Sequence, residues 1–259
     1  PSDVAPENYL VEESQLAAYT IRYYTDNFPS LNSLYGDDEM ATDNATTRNS
    51  SNRYLIGEWK TPASGGEWNF NNIYTLNYFI QSTEKNLETG SIKGNSTNIK
   101  HYIGEGYFLR AYQYFYRLRK LGDFPIIKEV LPDNKEALVE ASKRQPRNEV
   151  ARFILQDLDK AIEYLTNNPD GGKARITKNA ALVLKARVAL FEATWEKYHA
   201  GTALVPNGKG WPGAEKDYNK GYQFPSGSPE AEVNFFLDQA INASQTVADA
   251  VALTANNGS

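Results

Sequence analysis

Apolar side chains recur every three or four residues over most of this 259-residue chain, and that period constrains its fold more than any other feature. A 3.6-residue repeat places one apolar stripe on each helix, whereas a half-buried strand would alternate at every second residue. Helical stripes run over residues 16–24, 73–87, 103–118, 150–165, 181–195 and 233–251. We find no strand pattern of useful length, so the sequence predicts an all-α protein.

Capping and breaking residues set the expected ends of these helices. Pro146 suits the start of a helix, and Thr177 is the expected N-cap of the helix that follows. Clear breaks occur at 121–125, where the chain reads Leu-Gly-Asp-Phe-Pro, and at 167–172, which is rich in Asn, Gly and Pro. The helices are therefore expected to be separate and joined by turns.

Two helices carry the small-then-large spacing of a tetratricopeptide repeat, in which a small residue lets neighbouring helices approach closely. One helix has Ala111 and Phe115, followed by Pro125, and the other has Ala186, Leu190 and Ala193. The two matches lie much further apart than one repeat of about 34 residues, which excludes an uninterrupted array. Divergent helix pairs interrupted by loops fit the pattern, and an antiparallel helix bundle fits the spacing equally well.

Two long stretches show no helical period. Residues 35–72 are dominated by Gly, Asn, Ser, Thr and Asp, but Trp59, Trp68 and Phe70 argue for an ordered loop. Residues 198–229 are rich in Gly and aromatic residues and interrupt two helices. We expect this second stretch to be an insertion that acts as a lid, docks a partner or embellishes the fold, with Trp211 as its candidate ligand contact.

Charge and cysteine content exclude several kinds of function. The chain has 27 Lys and Arg against 32 Asp and Glu, so nucleic acid is not an expected partner. Cysteine is absent, which excludes disulfides, thiolate nucleophiles and Cys-ligated metals. Only His101 and His199 are present, so a poly-His metal site is excluded as well. The mean hydropathy is −0.59, and the sequence has no apolar run long enough to span a membrane.

A series of short motifs follows in a fixed order along the chain. They are Asp38-Glu39-Met40-Ala41-Thr42-Asp43-Asn44, Gly104-Glu105-Gly106-Tyr107-Phe108-Leu109-Arg110-Ala111, Leu121-Gly122-Asp123-Phe124-Pro125, Pro146-Arg147-Asn148-Glu149-Val150, Asp157-Leu158-Asp159-Lys160-Ala161-Ile162, Ala174-Arg175-Ile176-Thr177 and Lys185-Ala186-Arg187-Val188. Together they resemble the SusD/RagB family, which are surface glycan-binding lipoproteins of Bacteroidetes. One departure is Gly106, where the family pattern has Ala.

The resemblance implies a scaffold of tetratricopeptide-like helix pairs that carries ligand-binding loops on one face. It treats residues 1–259 as a single domain, and because family members are considerably longer, it implies that this is the N-terminal portion. It also implies a non-enzymatic, lipid-anchored protein of the outer membrane and cell surface, without a cofactor, that delivers its ligand to a SusC-like TonB-dependent transporter. Since the chain starts at Pro1 and not at Met, we expect an upstream signal peptide and lipidated Cys to have been removed.

No catalytic or metal-binding motif rises above chance. Neither histidine is accompanied by a Gly-x-Ser-x-Gly elbow. Glu105 and Arg110 are five residues apart and are expected to belong to the scaffold. The acidic cluster at 37–44 has oxygen ligands that suit calcium but lacks EF-hand spacing, so we expect a solvated loop and no metal.

Aromatic residues outside the helical stripes are the candidate ligand contacts. A flat ring packs against the C–H face of a sugar, while Asn, Asp and Arg hydrogen-bond its hydroxyls. The predicted binding residues are Asp43, Arg53, Trp59, Trp68, Asn69, Asn71, Asn72 and Trp211. We expect a neutral, hydroxyl-rich oligosaccharide or polysaccharide as the ligand. For Trp68, an equal alternative is that the ring only docks its loop onto the helices.

Other functions stay open at this point. A RagB-like peptide-binding protein would use the same scaffold, and a helical-repeat adaptor would bind only other proteins. Paired carboxylates of a glycoside hydrolase are invisible in one sequence, so that activity is the most distant alternative.

Overall fold

The computed structural model describes residues 9–28, 56–58, 66 and 68–254. Helices dominate these ranges: α1 Glu13–Asn27, α2 Asn71–Glu88, α3 Ser96–Leu121, α4 Lys135–Ala141, α5 Arg147–Tyr164, α6 Lys178–Tyr198 and α7 Pro229–Ala250. Short 3-10 turns occur at Gly172–Ala174, Pro212–Glu215 and Asp217–Asn219. Within the described ranges the backbone forms no strand, and the predicted all-α class is confirmed.

The helix ends follow the capping residues. Thr177 was the expected N-cap of α6, and its side chain accepts a hydrogen bond from the backbone N–H of Ala180 at 3.2 Å. The Asn95 side chain caps α3 in the same way, through the N–H groups of Thr97 and Asn98. The short helix α4 was not predicted, because it buries no residue and so has no apolar stripe.

The helices pack in chain order. α2 packs on α3, α3 on α5, α5 on α6 and α6 on α7, while α1 lies against α3. Each apolar stripe therefore faces its neighbours in the sequence, which is the arrangement expected of stacked helix pairs.

One of the two tetratricopeptide-like spacings is confirmed, and the other is wrong at its large residue. Ala111 and Phe115 are both buried where α3 meets its neighbours. On α6, Ala193 is buried as the spacing predicted, but Leu190 is exposed. The buried small residue that shares a face with Ala193 is Ala189, four residues earlier, and Ala186 is only half-buried.

Packing against Phe79 explains why position 106 is a glycine and not an alanine. A Cβ built there would lie 2.7 Å from ring atoms of Phe79, which is closer than any van der Waals contact allows. Phe79 is fully buried and stacks on Tyr19 with ring centroids 4.8 Å apart, so its ring has no free space to move into. The departure from the family pattern thus accommodates a large ring between α2 and α3.

The charged residues of the α3 motif hold the frame together. The Glu105 carboxylate accepts hydrogen bonds from Thr20 at 2.6 Å and Tyr24 at 2.7 Å on α1, and from Arg175 at 2.8 Å. Arg110 forms a two-pronged pair with Asp157 on α5, with both N–O distances at 2.7 Å. Buried, fully hydrogen-bonded pairs of this kind fix the relative positions of helices, which is the scaffold role expected of them.

Candidate functional site

A turn at the end of α3 connects the two irregular stretches of the chain. α3 ends at Leu121, and Gly122 reverses the chain with a left-handed φ of 68°. The next residues pair with the segment before α5, since Phe124 and Gln145 exchange backbone hydrogen bonds of 3.2 and 3.1 Å. Because of this bridge, the side chains next to Gln145 lie beside the turn.

Trp68 lies on one side of this turn. Its indole is 44% exposed and makes edge-on contacts with Phe70 and Phe124, with centroid distances of 5.6 and 5.2 Å. The Arg144 guanidinium lies 4.7 Å from the ring centroid. The ring is therefore anchored at its edge to the fold while much of its surface remains accessible to solvent.

The three predicted asparagines lie beside Trp68 at the start of α2. The Asn69 side chain accepts a hydrogen bond from the backbone N–H of Asn71 at 2.8 Å, and its carbonyl accepts one from Arg117 Nε at 3.0 Å. Asn69 and Asn71 are exposed and Asn72 is half-buried. Amide groups are thus available to solvent within a few residues of the ring, although Asn69 also serves to fix its own loop.

Trp211 lies on the other side of the turn and is only 3% exposed. Its indole N–H donates to Asp123 Oδ2 at 2.7 Å, and the backbone N–H of Arg147 donates to Asp123 Oδ1 at 2.9 Å. Burial raises the pKa of Asp123, although these hydrogen bonds and nearby Arg147 and Arg144 oppose that effect. Trp211 therefore anchors the 198–229 stretch to the α3 turn, and its buried ring offers no open stacking face.

A cavity of 680 Å³ lies beside this anchor point. Its lining includes Asp123, Arg144, Trp195, Trp211 and Tyr218. Tyr218 is an exposed ring on the 198–229 stretch, and Lys143 Nζ lies 5.7 Å from its centroid. Two adjacent cations, Lys143 and Arg144, thus each contact one exposed ring, and Arg144 and Tyr218 line the cavity. Lys143 is also ion-paired with Glu140.

The lining of this cavity is strongly basic. Arg119, Lys120, Arg144, Arg147 and Lys216 line it, and Asp123 is the carboxylate among its lining residues. The buried Arg147 is neutralised by Glu192, with two N–O distances of 2.8 Å, and its guanidinium lies 4.3 Å from the Trp195 ring centroid. The other four cations are exposed to solvent.

The sequence-based site is thus assembled only in part. Trp68, the asparagines and Trp211 lie around one turn, as described above. Asp43, Arg53 and Trp59 fall outside the described residues, so their placement stays a prediction. Sequence reasoning missed Arg144 and Tyr218 as site residues. The adjacent basic residues Lys143 and Arg144, between α4 and α5, are a sequence signal that could have pointed to this site.

The described ranges contain neither of two further features, a cluster of metal ligands or a helix able to span a membrane. There, no group of three or more His, Cys, Asp or Glu side chains is arranged to hold a metal ion. None of the helices in those ranges combines the length and the hydropathy that a membrane span requires.

Comparison with known proteins gives one consistent group of relatives. Residues 3–190 match a SusD-like family with the description "Starch-binding associating with outer membrane". SusD-like protein P2 of Formosa agariphila is 30% identical over 118 residues, which cover 46% of this chain and 23% of the relative. The chain therefore spans about a quarter of the length of this curated relative.

Two solved structures are similar to part of this chain. A SusD-like protein of Bacteroides fragilis is 30% identical, with a TM-score of 0.38 over 48% of this chain and 24% of that chain. Surface glycan-binding protein A of Bacteroides fluxus is 25% identical, with a TM-score of 0.36 over 49% of this chain and 26% of that chain.

Proposed function

The chain belongs to the SusD-like family, and from this membership we propose that it binds an oligosaccharide non-covalently at the cell surface. The proposed binding surface is the cavity beside the α3 turn together with the Trp68 ring, which contacts the cavity residue Arg144. Binding of this kind involves no turnover and no cofactor. The family is associated with the outer membrane, and we propose that a lipid anchor holds this protein there.

The single observation that carries the proposal is the exposed Trp68 ring next to a cavity of oligosaccharide size. A saccharide presents an apolar C–H face and a hydroxyl-bearing edge, so it needs a flat ring and nearby hydrogen-bond donors. Trp68 supplies the ring, fixed by its edge contacts with Phe70 and Phe124. The exposed Asn71 side chain and the Arg144 guanidinium supply polar groups around it.

The docking alternative for Trp68 accounts for only part of this geometry. Phe70 is the residue that stacks face to face on Phe124, at 5.0 Å and 13°. It already fastens this end of the 35–72 stretch to the buried ring of the α3 turn. A second ring at that point is not needed for docking, and its exposed surface is the part that a ligand would contact.

Delivery to a SusC-like TonB-dependent transporter is the proposed next step. A protein that binds its ligand without converting it must pass that ligand on. A transporter in the outer membrane, where we propose that this protein lies, would accept it. Since the chain matches only part of its relatives' length, the transporter contact and the complete binding surface are assigned to the whole protein.

The test is calorimetric titration of a panel of oligosaccharides against the wild type and Trp68→Ala. We expect binding to at least one glycan and a loss of about tenfold or more in Trp68→Ala, because ring–sugar contacts of this kind contribute about 1–2 kcal/mol. Tyr198→Ala is the matched control, since Tyr198 is 76% exposed and lines neither of the two main cavities.

Binding of peptides with no response to any glycan would contradict the proposal and favour a RagB-like function. Release of reducing ends from the glycan panel would instead indicate hydrolysis. Equal affinities of wild type and Trp68→Ala for a bound glycan would place the site elsewhere. For the delivery step, we expect the full-length protein to co-purify with its transporter, and separate migration would refute it.

A further inference from the structure

We infer that the ligand of this cavity is an acidic glycan, one whose sugars bear carboxylate or sulfate groups. This inference rests on the proposed glycan-binding function and narrows its substrate class. It differs from the neutral ligand expected from sequence, because the sequence does not show where the charges collect.

The first observation is the charge of the lining compared with that of the whole protein. The chain has a net charge of −5, yet the exposed charged side chains around this cavity are Arg119, Lys120, Arg144 and Lys216. Over the described ranges, none of these four forms an ion pair with a carboxylate. An acidic protein that concentrates unpaired cations at one concave surface creates a local positive potential there.

Among the described residues that line the cavity, Asp123 is the one carboxylate, and it already takes part in the packing of the turn. Both oxygens of Asp123 accept hydrogen bonds, one from the Trp211 indole and one from the backbone N–H of Arg147. Hydrogen bonds within the turn thus engage both oxygens of Asp123, and its charge also acts on nearby Arg144. Within the described ranges neither Arg144 nor Lys216 forms an ion pair.

The position of Arg144 adds a geometric reason. Its guanidinium lies over the Trp68 ring at 4.7 Å, so the ring orients a side chain that belongs to an exposed residue. A planar guanidinium binds carboxylate and sulfate oxygens in a two-pronged manner. A sugar that lies against Trp68 would thus place its acidic substituent next to a fixed cation.

A second cation–ring contact lies next to the first, between Lys143 and Tyr218, with 5.7 Å between the ammonium and the ring centroid. Lys143 is already ion-paired with Glu140 and does not line the cavity. Of these two adjacent cations, Arg144 is therefore the one that the acidic-ligand inference uses.

The test uses charged and uncharged versions of the same backbone. One arm compares an oligogalacturonide with its methyl ester, and the other compares a sulfated galactan oligosaccharide with its desulfated form. We expect the charged member of at least one pair to bind about tenfold or more tightly, and raising salt from 50 to 500 mM to weaken it selectively, since salt screens exposed charges. The arm that responds distinguishes carboxylate from sulfate.

Two matched pairs of variants locate the effect. Lys216→Glu and Lys209→Glu change exposed lysines of the same stretch, but only Lys216 lines the cavity. Lys120→Glu and Lys100→Glu lie on α3, separated by about 30 Å at 1.5 Å per residue, and again only the first lines the cavity. We expect each cavity variant to weaken binding of the charged glycan about threefold to tenfold, and each control by less than about twofold.

The outcomes separate this inference from the function on which it rests. If a neutral glycan binds through Trp68 as well as its charged counterpart, the acidic-ligand inference is wrong and glycan binding stands. If no glycan of either panel binds, both fail. A charged preference that is lost equally in cavity variants and controls would also overturn the inference, because it would reflect overall charge and not this site.

Discussion

Glu196 has a buried carboxyl group that forms no ion pair within the described structure. It lies on α6 and is 5% exposed, and neither of its carboxyl oxygens has a hydrogen-bond partner within the described structure. Its neighbours are already paired: Arg147 binds Glu192 at 2.8 Å, and Arg152 binds Glu232 at 2.7 Å. Two guanidinium groups, those of Arg147 and Arg152, therefore lie among three carboxyl groups. Glu196 is the one of the three that is ion-paired with neither.

This arrangement makes the folded protein take up a proton. Burial, and then the charges of Glu192 and Glu232, raise the pKa of Glu196 from 4.5 to about 9. At pH 7 the group is protonated in the folded protein and ionised in the unfolded chain. The difference from 4.5 to 7, at about 1.4 kcal/mol per pH unit, lowers the free energy of unfolding by about 3 kcal/mol.

Replacing the carboxyl by an uncharged amide of the same shape removes this proton uptake. We expect Glu196→Gln to raise the free energy of unfolding at pH 7 by about 1–3 kcal/mol, the lower values reflecting amide N–H donors that would also lack partners. Most single substitutions of buried residues destabilise a protein, so a stabilising result would be a specific signature.

The pH dependence is the more decisive observable. Because the folded-state pKa is raised, the wild type has the full benefit of this group below about pH 4.5, loses stability steadily as the pH rises, and levels off near pH 9. Glu196→Gln lacks that slope. Between pH 5.5 and 8.5 the stability difference between variant and wild type is expected to grow by up to about 4 kcal/mol. Urea unfolding followed by circular dichroism at pH 5.5, 7 and 8.5 measures it.

Glu192→Gln is the matched control, one turn away on the same helix. It removes the partner of Arg147 and leaves a buried guanidinium uncompensated, so we expect a loss of about 3–5 kcal/mol. A loss of stability in Glu196→Gln at pH 8.5, or a difference from wild type that does not change with pH, would refute the reasoning about Glu196.

Three further changes test the frame and the turn, each by urea unfolding. Gly106→Ala is expected to destabilise by about 1 kcal/mol net, as the clash with Phe79 exceeds the gain in helix propensity; strict additivity with Phe79→Leu would argue against that clash. Trp211→Phe should cost about 1–3 kcal/mol by leaving Asp123 Oδ2 without its donor, and an unchanged midpoint would contradict this. Asn95→Ala should cost about 1 kcal/mol through the lost cap of α3, whereas no loss would show that water replaces it.

The helices could be predicted from sequence because burial repeats with the helical period. The stripe at 150–165 corresponds to α5, in which Val150, Phe153, Ile154 and Leu158 are all buried. α4 escaped prediction for the same physical reason, since it buries nothing. The exposed Leu190 on α6 shows the limit of local spacing, because which residues of a helix enter the core depends on helices that are distant in sequence.

The site was harder to predict because long-range contacts decide its exposure. Trp68 and Trp211 both lie in irregular sequence among Gly and Asn, yet one is open and the other is buried. The difference arises from Asp123, 88 residues before Trp211, which gives the indole N–H a buried partner. No local pattern around either tryptophan contains that information.

The cations that line the cavity fall into two groups, and the helix dipole accounts for only one of them. Arg119 and Lys120 occupy the last turn of α3, where cations are favoured by the helix dipole in any protein. That reason does not extend to Arg144, in the segment before α5, or to Lys216, between two 3-10 turns. The acidic-ligand inference therefore depends most on these two residues. If Lys120→Glu weakened binding of a charged glycan while Lys216→Glu had no effect, the end of α3 would be the binding determinant, and the inference from Arg144 and Lys216 would fail.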